Sequence, residues 1–263
     1  MTQIVFDEAA AKAIEGMYLT PDVVAQRARV LDLLAVRAGE AVLDIGCGPG
    51  LLSYDLARLV GEKGRLVALD NAAPMVAMTR ARLAEMKHGE AVEGQATTLA
   101  FPDASFDAAV ATQVYEYVDD MPRALAELHR VLKPDGRALI LDTDWRSIVW
   151  HSSDKQRMER VLKVWDDHLA DPHLPATLGP LMKRAGFTLR RVEIVPMLSP
   201  SYQPATYAAG MMRTISNYVR TNAARHGVQP QELQAWWDDQ QQLIAREEFF
   251  FSVNRYAFLA TRG

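Results

Sequence analysis

The sequence predicts an α/β fold in which helices cover a largely parallel sheet. Short apolar stretches alternate with amphipathic helical patterns along the chain, as they do in such folds. One apolar stretch, residues 41–45, leads into a turn containing Gly46, Gly48 and Gly50, and a helical pattern follows. The next predicted strand ends in Asp70. A glycine turn and an acid about twenty residues later are typical of α/β folds that bind nucleotides.

Composition narrows the class of protein. Of the 263 residues, 49% are hydrophobic and 24% are charged, so the chain can form a substantial core. The formal net charge is −4, which gives no electrostatic footprint for a nucleic-acid partner. Cys47 is the only cysteine, which excludes an intrachain disulfide and a cysteine zinc site. No run of about 18 apolar residues occurs, so we expect a cytoplasmic protein without a membrane span.

Residues 1–38 predict a helical cap. Thr20, Pro21 and Asp22 signal a helix start, because they supply a hydroxyl cap, a first-turn proline and a first-turn acid. Gly39 ends this helix. Tyr18 precedes the helix start, and it either packs against the protein or lines a ligand site.

The glycine turn departs from a dinucleotide fingerprint. Asp44 precedes the turn, and glycines recur at every second position from Gly46 to Gly50. Such a turn exposes backbone N–H groups at a helix N-terminus and lets a ligand approach the main chain closely. The dinucleotide motif needs its third glycine at the sixth position, where this chain has Leu51.

The remaining elements alternate regularly. We expect strands over residues 65–69, 91–94, 108–112, 137–142, 188–195 and 249–261, and helices over residues 73–87, 121–132, 154–169, 177–185, 205–225 and 230–248. The stretch 197–227 interrupts the sheet and carries Tyr207 and Met211 in an apolar, aromatic stripe. That stripe is either core or the lining of a substrate lid.

The pattern D-x-G-x-G-x-G from Asp44 to Gly50 resembles the first motif of class I S-adenosylmethionine-dependent methyltransferases. Three later segments resemble the same family in order and spacing: residues 95–107, 113–120 and 127–136. The resemblance is closest to the group that includes ubiquinone and menaquinone biosynthesis enzymes and many small-molecule methyltransferases. It implies a single domain with a Rossmann-like, seven-stranded, mostly parallel sheet whose last strand is antiparallel. Residues 39–144 would form the cofactor-binding core.

The resemblance also implies S-adenosylmethionine as the cofactor. The glycine turn would pass under its methionine portion, Asp44 would support the turn, and Asp70 would hold the ribose hydroxyls. Gln95 stands where the family usually has an acid, and its carbonyl can still accept a hydrogen bond from the adenine amino group. The expected cofactor residues are Asp44, Gly46, Cys47, Gly48, Gly50, Asp70, Asn71, Met75, Gln95, Ala96, Gln113 and Val114.

The acceptor is expected beside the loop that follows the fourth strand. Family members often have histidine at the position of Tyr117, and a phenol with a pKa near 10 is a poor base at neutral pH. A base is optional, and His151 and Asp144 are the candidates if one is used. The residues expected to line the acceptor site are Tyr18, Tyr115, Tyr117, Trp145, Tyr207 and Met211. The alternative for Asp144 and Trp145 is a capped loop with a packing tryptophan.

The expected function is methyl transfer from S-adenosylmethionine to a nitrogen, oxygen, sulfur or carbon atom of a small molecule by in-line displacement. Two alternatives remain: a nucleotide-dependent oxidoreductase, against which Leu51 argues, and a non-catalytic module that keeps the cofactor fold. Asp142 and Asp144 have no evident third ligand, so no metal is expected. The sequence leaves the oligomeric state open.

Overall fold

The computed structural model describes residues 8–263, with side chains described from Ala11 onward. Residues 1–7 of the predicted cap lie outside the described residues. The helices are α1 Glu8–Tyr18, α2 Pro21–Leu34, α3 Leu51–Val60, α4 Ala73–Arg82, α5 Met121–Val131, α6 Lys155–Asp166, α7 Pro175–Arg184, α8 Tyr207–Asn222 and α9 Pro230–Ala245. The strands are β1 Ala41–Ile45, β2 Arg65–Asp70, β3 Gly89–Glu93, β4 Phe106–Thr112, β5 Leu132–Trp150, β6 Phe187–Ser199 and β7 Phe251–Arg262.

The strands form one seven-stranded sheet in the order β3-β2-β1-β4-β5-β7-β6. Strands β1 to β5 pair in parallel, and β7 is antiparallel to both of its neighbours. The predicted Rossmann-like topology with an antiparallel last strand is therefore confirmed. Because the parallel strands share one direction, the carboxyl ends of β1, β2, β4 and β5 meet at one edge of the sheet, where ligands of such sheets bind.

Two strands run further than the sequence pattern predicts. β5 continues to Trp150 instead of ending at Asp142, and β6 continues to Ser199. Both extensions pair with β7: Val149 lies opposite Ser252, and Ser199 lies opposite Phe251. Pairing with β7 stabilises these two extensions, in which the alternation of apolar and polar residues is weak. The predicted lid segment 197–227 consequently starts inside β6, and its helical part begins at Tyr207.

The core has three parts. One cluster packs α5 and α7 against one face of the sheet, and a second packs α2, α3 and α4 against the other face. The third joins α6, α8 and α9 to the extended ends of β5 and β7. This third cluster lies beyond the carboxyl edge of the parallel strands and covers it. Among the described helices, none has the length and apolar character needed to cross a membrane.

Candidate active site

The glycine turn is fixed by left-handed backbone conformations and by the end of β2. Gly46, Gly48 and Gly50 have φ angles of 70°, 54° and 80°, which L-residues with side chains rarely adopt. The amides of Gly46 and Cys47 donate to the Leu69 carbonyl at 2.7 and 2.9 Å. The turn is therefore tied to the strand that carries Asp70.

Two of the three glycines are also required by close packing. A Cβ atom at Gly46 would collide with Val114, and one at Gly50 would lie 2.6 Å from the Thr79 hydroxyl. At Gly48 the nearest atom is Cε2 of Tyr18, at 4.0 Å. Gly48 is therefore the least crowded of the three glycines, and the edge of the Tyr18 ring is its nearest neighbour on that side.

Asp44 supports the turn from below. Its side chain is buried, and the Ser53 hydroxyl donates to Oδ2 at 2.5 Å from the first turns of α3. Burial raises the pKa of Asp44 to about 7, although the hydrogen bond from Ser53 acts in the opposite direction. The Cys47 side chain also turns inward against Thr79, so only its main chain can face a ligand.

Asp70 lies beside Gly48 at the end of β2. Its Oδ2 accepts from the Gly48 amide at 2.8 Å, and its Oδ1 accepts from the Ala72 amide at 2.9 Å. Burial raises the pKa of this carboxyl, and the two backbone hydrogen bonds oppose that rise. An ionised carboxylate offers about four acceptor positions, so two remain for the hydroxyl groups of a ribose.

The other expected cofactor residues surround this acid. We call the region between the glycine turn, the Asp70 end of β2 and the loop after β4 the crevice, and its exposed end the crevice mouth. Asn71 and Gln95 are exposed, whereas Met75 and Ala96 are buried. A nucleoside needs hydroxyl acceptors, a glycine surface and polar groups at the crevice mouth, and these residues supply them. The chain's own residues therefore fit the cofactor that the resemblance implies.

The loop after β4 closes the crevice on its other side. Gln113 has a φ of 57°, and its amide donates to the Leu141 carbonyl at 2.7 Å. The Val114 amide donates to Oδ1 of the fully buried Asp142 at 2.9 Å. Asp142 thus holds the loop in the position where Val114 meets Gly46.

Buried charges lie on the far side of this loop. Glu116 is fully buried, and its Oε2 accepts from the Thr143 amide at 3.0 Å. Burial raises the pKa of Glu116 to about 7, and the Thr143 amide and the Arg255 charge oppose that rise. Burial and the neighbouring Glu116 charge raise the pKa of Asp142 as well. Since the two acids repel each other when both are ionised, we expect the pair to keep one proton near neutral pH.

A cluster of aromatic and charged residues surrounds Glu116. Arg255 and Tyr18 interact electrostatically with Glu116, and Tyr117 and Trp145 lie close to its carboxylate. The Arg255 guanidinium lies 4.4 Å above the ring of Tyr207. We call this set the Arg255 cluster, and its members are Tyr18, Glu116, Tyr117, Trp145, Tyr207 and Arg255.

The structure separates the residues expected at the acceptor site. Tyr18, Tyr117, Trp145 and Tyr207 come together in the Arg255 cluster, and Met211 is buried in the same part of the core. Tyr115 does not join them, because it is fully buried in the cluster under α5. Neighbouring residues of the short 3₁₀ turn Tyr115–Tyr117 point in different directions, which explains the difference.

The two candidate bases are both engaged elsewhere. His151 is exposed, and its Nδ1 lies 2.8 Å from the Glu248 carbonyl, outside the Arg255 cluster. Asp144 is buried, and its Oδ1 contacts His173 Nδ1 at 2.7 Å and the Arg146 amide at 3.0 Å. These contacts of Asp144 therefore fit the alternative in which it caps a loop.

His168 is a buried imidazole that the sequence pattern did not single out. Its ring lies 3.9 Å from that of Trp165 and 5.6 Å from that of Tyr117. Nδ1 contacts the Trp165 carbonyl, so the ring is the tautomer that donates from Nδ1. Nε2 has no partner among the described residues. Burial lowers the pKa of His168 to about 4, which keeps the ring neutral.

Comparison with known proteins identifies the family. The model of a methyltransferase domain matches residues 43–140. The 2-phytyl-1,4-naphtoquinone methyltransferase of Thermosynechococcus vestitus is 33% identical over 183 residues, which cover 64% of this chain and 80% of that enzyme. The chain belongs to the S-adenosylmethionine-dependent methyltransferases. S-adenosylmethionine is therefore its cofactor.

Other similar proteins extend the comparison. An uncharacterized 37.1 kDa protein in transposon TN4556 of Streptomyces fradiae is 30% identical over 236 residues, which cover 88% of this chain and 65% of that protein. The chain spans about half the length of several other curated relatives of this methyltransferase. Phosphoethanolamine N-methyltransferase 2 of Haemonchus contortus, solved with S-adenosyl-L-methionine, has a TM-score of 0.62 and 18% identity, covering 97% of this chain and 57% of that chain. The similarity to this solved structure is a similarity of fold alone.

Proposed function

We propose that this methyltransferase transfers the methyl group of S-adenosylmethionine to a small-molecule acceptor that binds at the Arg255 cluster. The observation that carries this proposal is the position of Tyr18. The edge of its ring is the nearest neighbour of Gly48 on the open side of the glycine turn, and Tyr18 also interacts electrostatically with Asp70, Glu116 and Arg255. A cofactor on the glycine turn and an acceptor at the Arg255 cluster would therefore be neighbours.

The cofactor residues take the roles that their contacts support. Asp70 accepts the ribose hydroxyls with its remaining lone pairs, and Gly48 offers its uncrowded Cα, since its amide and carbonyl are held by Asp70 and Thr79. Asn71 and Gln95 border the adenosine at the crevice mouth. Gly46, Gly50 and Asp44 set the shape of the turn, and Gln113 and Val114 bound the crevice opposite it.

The Arg255 cluster is enclosed by the protein, which favours a small molecule as the acceptor. Met17 of α1 packs so closely on α8 that a Cβ atom at Gly210 would lie 2.8 Å from Met17 Cγ. Tyr207, at the start of α8, is 1% exposed, and Trp145 is 5% exposed. A site covered by two helices and lined by buried aromatic rings suits a small molecule better than a polymer.

The reaction is a displacement at carbon. S-adenosylmethionine supplies a methyl group attached to a sulfonium sulfur. The acceptor's nucleophilic atom forms a bond to that carbon while the carbon–sulfur bond breaks, and the bonding pair stays on sulfur. Tyr18, Trp145 and Tyr207 align the acceptor and exclude water, which is the main contribution a protein makes to such a step.

A nucleophile that carries a proton must lose it. His168 takes the place of His151 as the imidazole beside the Arg255 cluster, because its Nε2 is unpartnered among the described residues and its ring adjoins Tyr117. Since burial lowers its pKa to about 4, it is a weak base, and we assign it a hydrogen bond to the acceptor and no proton transfer. Asp144 is held by His173 and Arg146. We therefore assign no proton transfer to Asp144.

Label transfer tests the proposal. The protein is incubated with S-adenosylmethionine carrying a tritiated methyl group and with a fractionated metabolite extract. We expect tritium in a low-mass product together with an equal amount of S-adenosylhomocysteine. The Asp70→Ala variant should lower the yield, and the matched surface variant Glu90→Ala should not. Tight cofactor binding without label transfer to any fraction would instead favour the non-catalytic module.

A further inference from the structure

Arg255 is a buried cation whose hydrogen-bonding capacity is only partly used. It lies on β7 opposite Thr143 of β5 and is fully buried. Nη1 donates to the side-chain oxygen of Gln26. Nε and Nη2 make no well-formed hydrogen bond among the described residues, although the Tyr207 hydroxyl, which also lacks a partner, lies close to the guanidinium. Burying a guanidinium costs free energy unless its charge and its donors are compensated.

The two unpaired donors form one edge of the guanidinium. Elsewhere in this chain Arg29 uses the same two atoms to hold a carboxylate, with Nε 3.0 Å from Oε2 and Nη2 2.8 Å from Oε1 of Glu193. Two parallel N–H donors match the two oxygens of a carboxylate. We call the Nε and Nη2 edge of Arg255 the Arg255 fork.

No acid of the described residues occupies the Arg255 fork. Glu116 interacts with Arg255 through space and compensates its charge, but it makes no hydrogen bond to the fork: its Oε2 is bound by the Thr143 amide, and its Oε1 has no partner among the described residues. Asp142 accepts from the Val114 amide instead. A ligand that brings its own carboxylate would therefore complete this part of the site.

The Arg255 fork is held rigidly. The Tyr207 ring supports one face of the guanidinium at 4.4 Å, and Gln26 of α2 holds Nη1. The Tyr207 amide is in turn bound to Oδ2 of Asp22 at 2.8 Å. A donor pair that is ordered before the ligand arrives loses little conformational entropy on binding.

We propose that the Arg255 fork binds a carboxylate of the acceptor, so that the acceptor is a small aromatic or apolar acid. This inference rests on the proposed function. The carboxylate is the recognition group and not the methylated atom, so the product remains an anion. The aromatic rings of Tyr117 and Trp145 contact the apolar body of the acid.

The cofactor's methionine portion also carries a carboxylate, and the test must distinguish the two sources. In the first arm, calorimetry compares 1-hydroxy-2-naphthoate with 1-naphthol on protein saturated with S-adenosylhomocysteine. The two probes differ only in the carboxylate. We expect the acid to bind at least tenfold more tightly to the wild type, and equal affinities would overturn the proposal without any variant.

Two substitutions at Arg255 locate the effect. Arg255→Met removes the charge, and Arg255→Lys keeps the charge but lacks the fork. We expect both variants to lose most of the preference for the acid, whereas Arg213→Met, an exposed position on α8, should retain it. A preference unchanged in Arg255→Lys would overturn the role of the fork, even if Arg255→Met does not fold.

The second arm measures the cofactor. S-adenosylhomocysteine is compared with 5′-methylthioadenosine, which lacks the amino-acid carboxylate. We expect Arg255→Lys to bind both with wild-type affinity. A tenfold loss for S-adenosylhomocysteine alone would assign the fork to the cofactor and overturn the proposal.

The tritium experiment separates this inference from the proposed function. A labelled product that an anion-exchange resin retains supports the carboxylate-bearing acceptor. A labelled product recovered only in the neutral or basic fraction would leave methyl transfer in place and overturn the assignment of the Arg255 fork. An absence of label in every fraction counts against the proposed function itself.

Discussion

At Gly46, both the backbone conformation and the close packing require a glycine. Its φ is 70°, and a side chain there would collide with Val114. Gly227 has the same φ of 70°, lies in the left-handed region with a ψ of 11°, and has no atom within 4 Å of the position that a Cβ would take. The two positions therefore separate the cost of the left-handed conformation from the cost of the collision.

We expect Gly227→Ala to lower the free energy of unfolding by about 1 kcal/mol, the usual cost of the left-handed conformation. Gly46→Ala should cost at least about 2 kcal/mol more, because it forces the loop after β4 to move. Urea denaturation measures both, and Val114→Ala in the Gly46→Ala background should restore part of the loss. Equal losses at Gly46 and Gly227 would contradict the close packing of the turn.

Asp44 gives the protein an unusual pH dependence. Its pKa rises from 3.8 in the unfolded chain to about 7 in the folded state, so the folded state binds the proton more tightly. The stabilisation is fully present below about pH 4 and is lost as the pH rises to about 7, with a size of about 4 kcal/mol. Asp44→Asn should remove this contribution.

Denaturation of the wild type and Asp44→Asn at several pH values checks this prediction. The stability of the wild type relative to the variant should fall steadily between about pH 4 and pH 7. A constant difference across that range would mean that Asp44 titrates at its ordinary pKa.

At the scale of elements, Asp22 joins the starts of two helices. Its Oδ1 accepts from the Val23 amide in α2 at 3.0 Å, and its Oδ2 accepts from the Tyr207 amide in α8 at 2.8 Å. The first amides of a helix lack partners within the helix. One carboxylate therefore fixes both the cap that carries Tyr18 and the helix that carries Tyr207.

Asp22→Ala should loosen the first turn of α8 and lower stability by about 1–2 kcal/mol, as the loss of a helix cap does. Hydrogen exchange should accelerate at residues 207–209, and S-adenosylhomocysteine should dissociate faster. Asp32→Ala is the matched control, because that acid lies on the same helix with its side chain 73% exposed. Equal exchange in the two variants would show that Asp22 does not hold α8.

At the scale of the whole molecule, cofactor binding should raise the free energy of unfolding. A ligand that binds only the folded state at 100 times its Kd adds about 2.7 kcal/mol, which raises the Tm of a chain of this size by about 5–10 °C. We expect S-adenosylhomocysteine to raise the Tm and NADH not to. The shift should shrink in Asp70→Ala. An equal shift with NADH would favour the nucleotide-dependent oxidoreductase.

The sequence by itself determined the sheet, the glycine turn and the acid that follows it. These features depend on local spacing, since alternating apolar stretches specify strands and helices, and glycine is needed wherever φ is positive. The resemblance to methyltransferases rests on the same local patterns. The ends of β5 and β6 were not predictable in this way, because their last residues are strands only through pairing with β7.

The tertiary structure decided which side chains meet at the acceptor side. Arg255 is the clearest case: it occupies an inward position of β7, between the buried Val253 and Ala257, and a charge at an inward position of a strand was the available signal. Its neighbours Gln26 and Glu116 come from α2 and from the loop after β4. Residues so far apart in sequence meet only through strand register and helix packing, which no local pattern encodes.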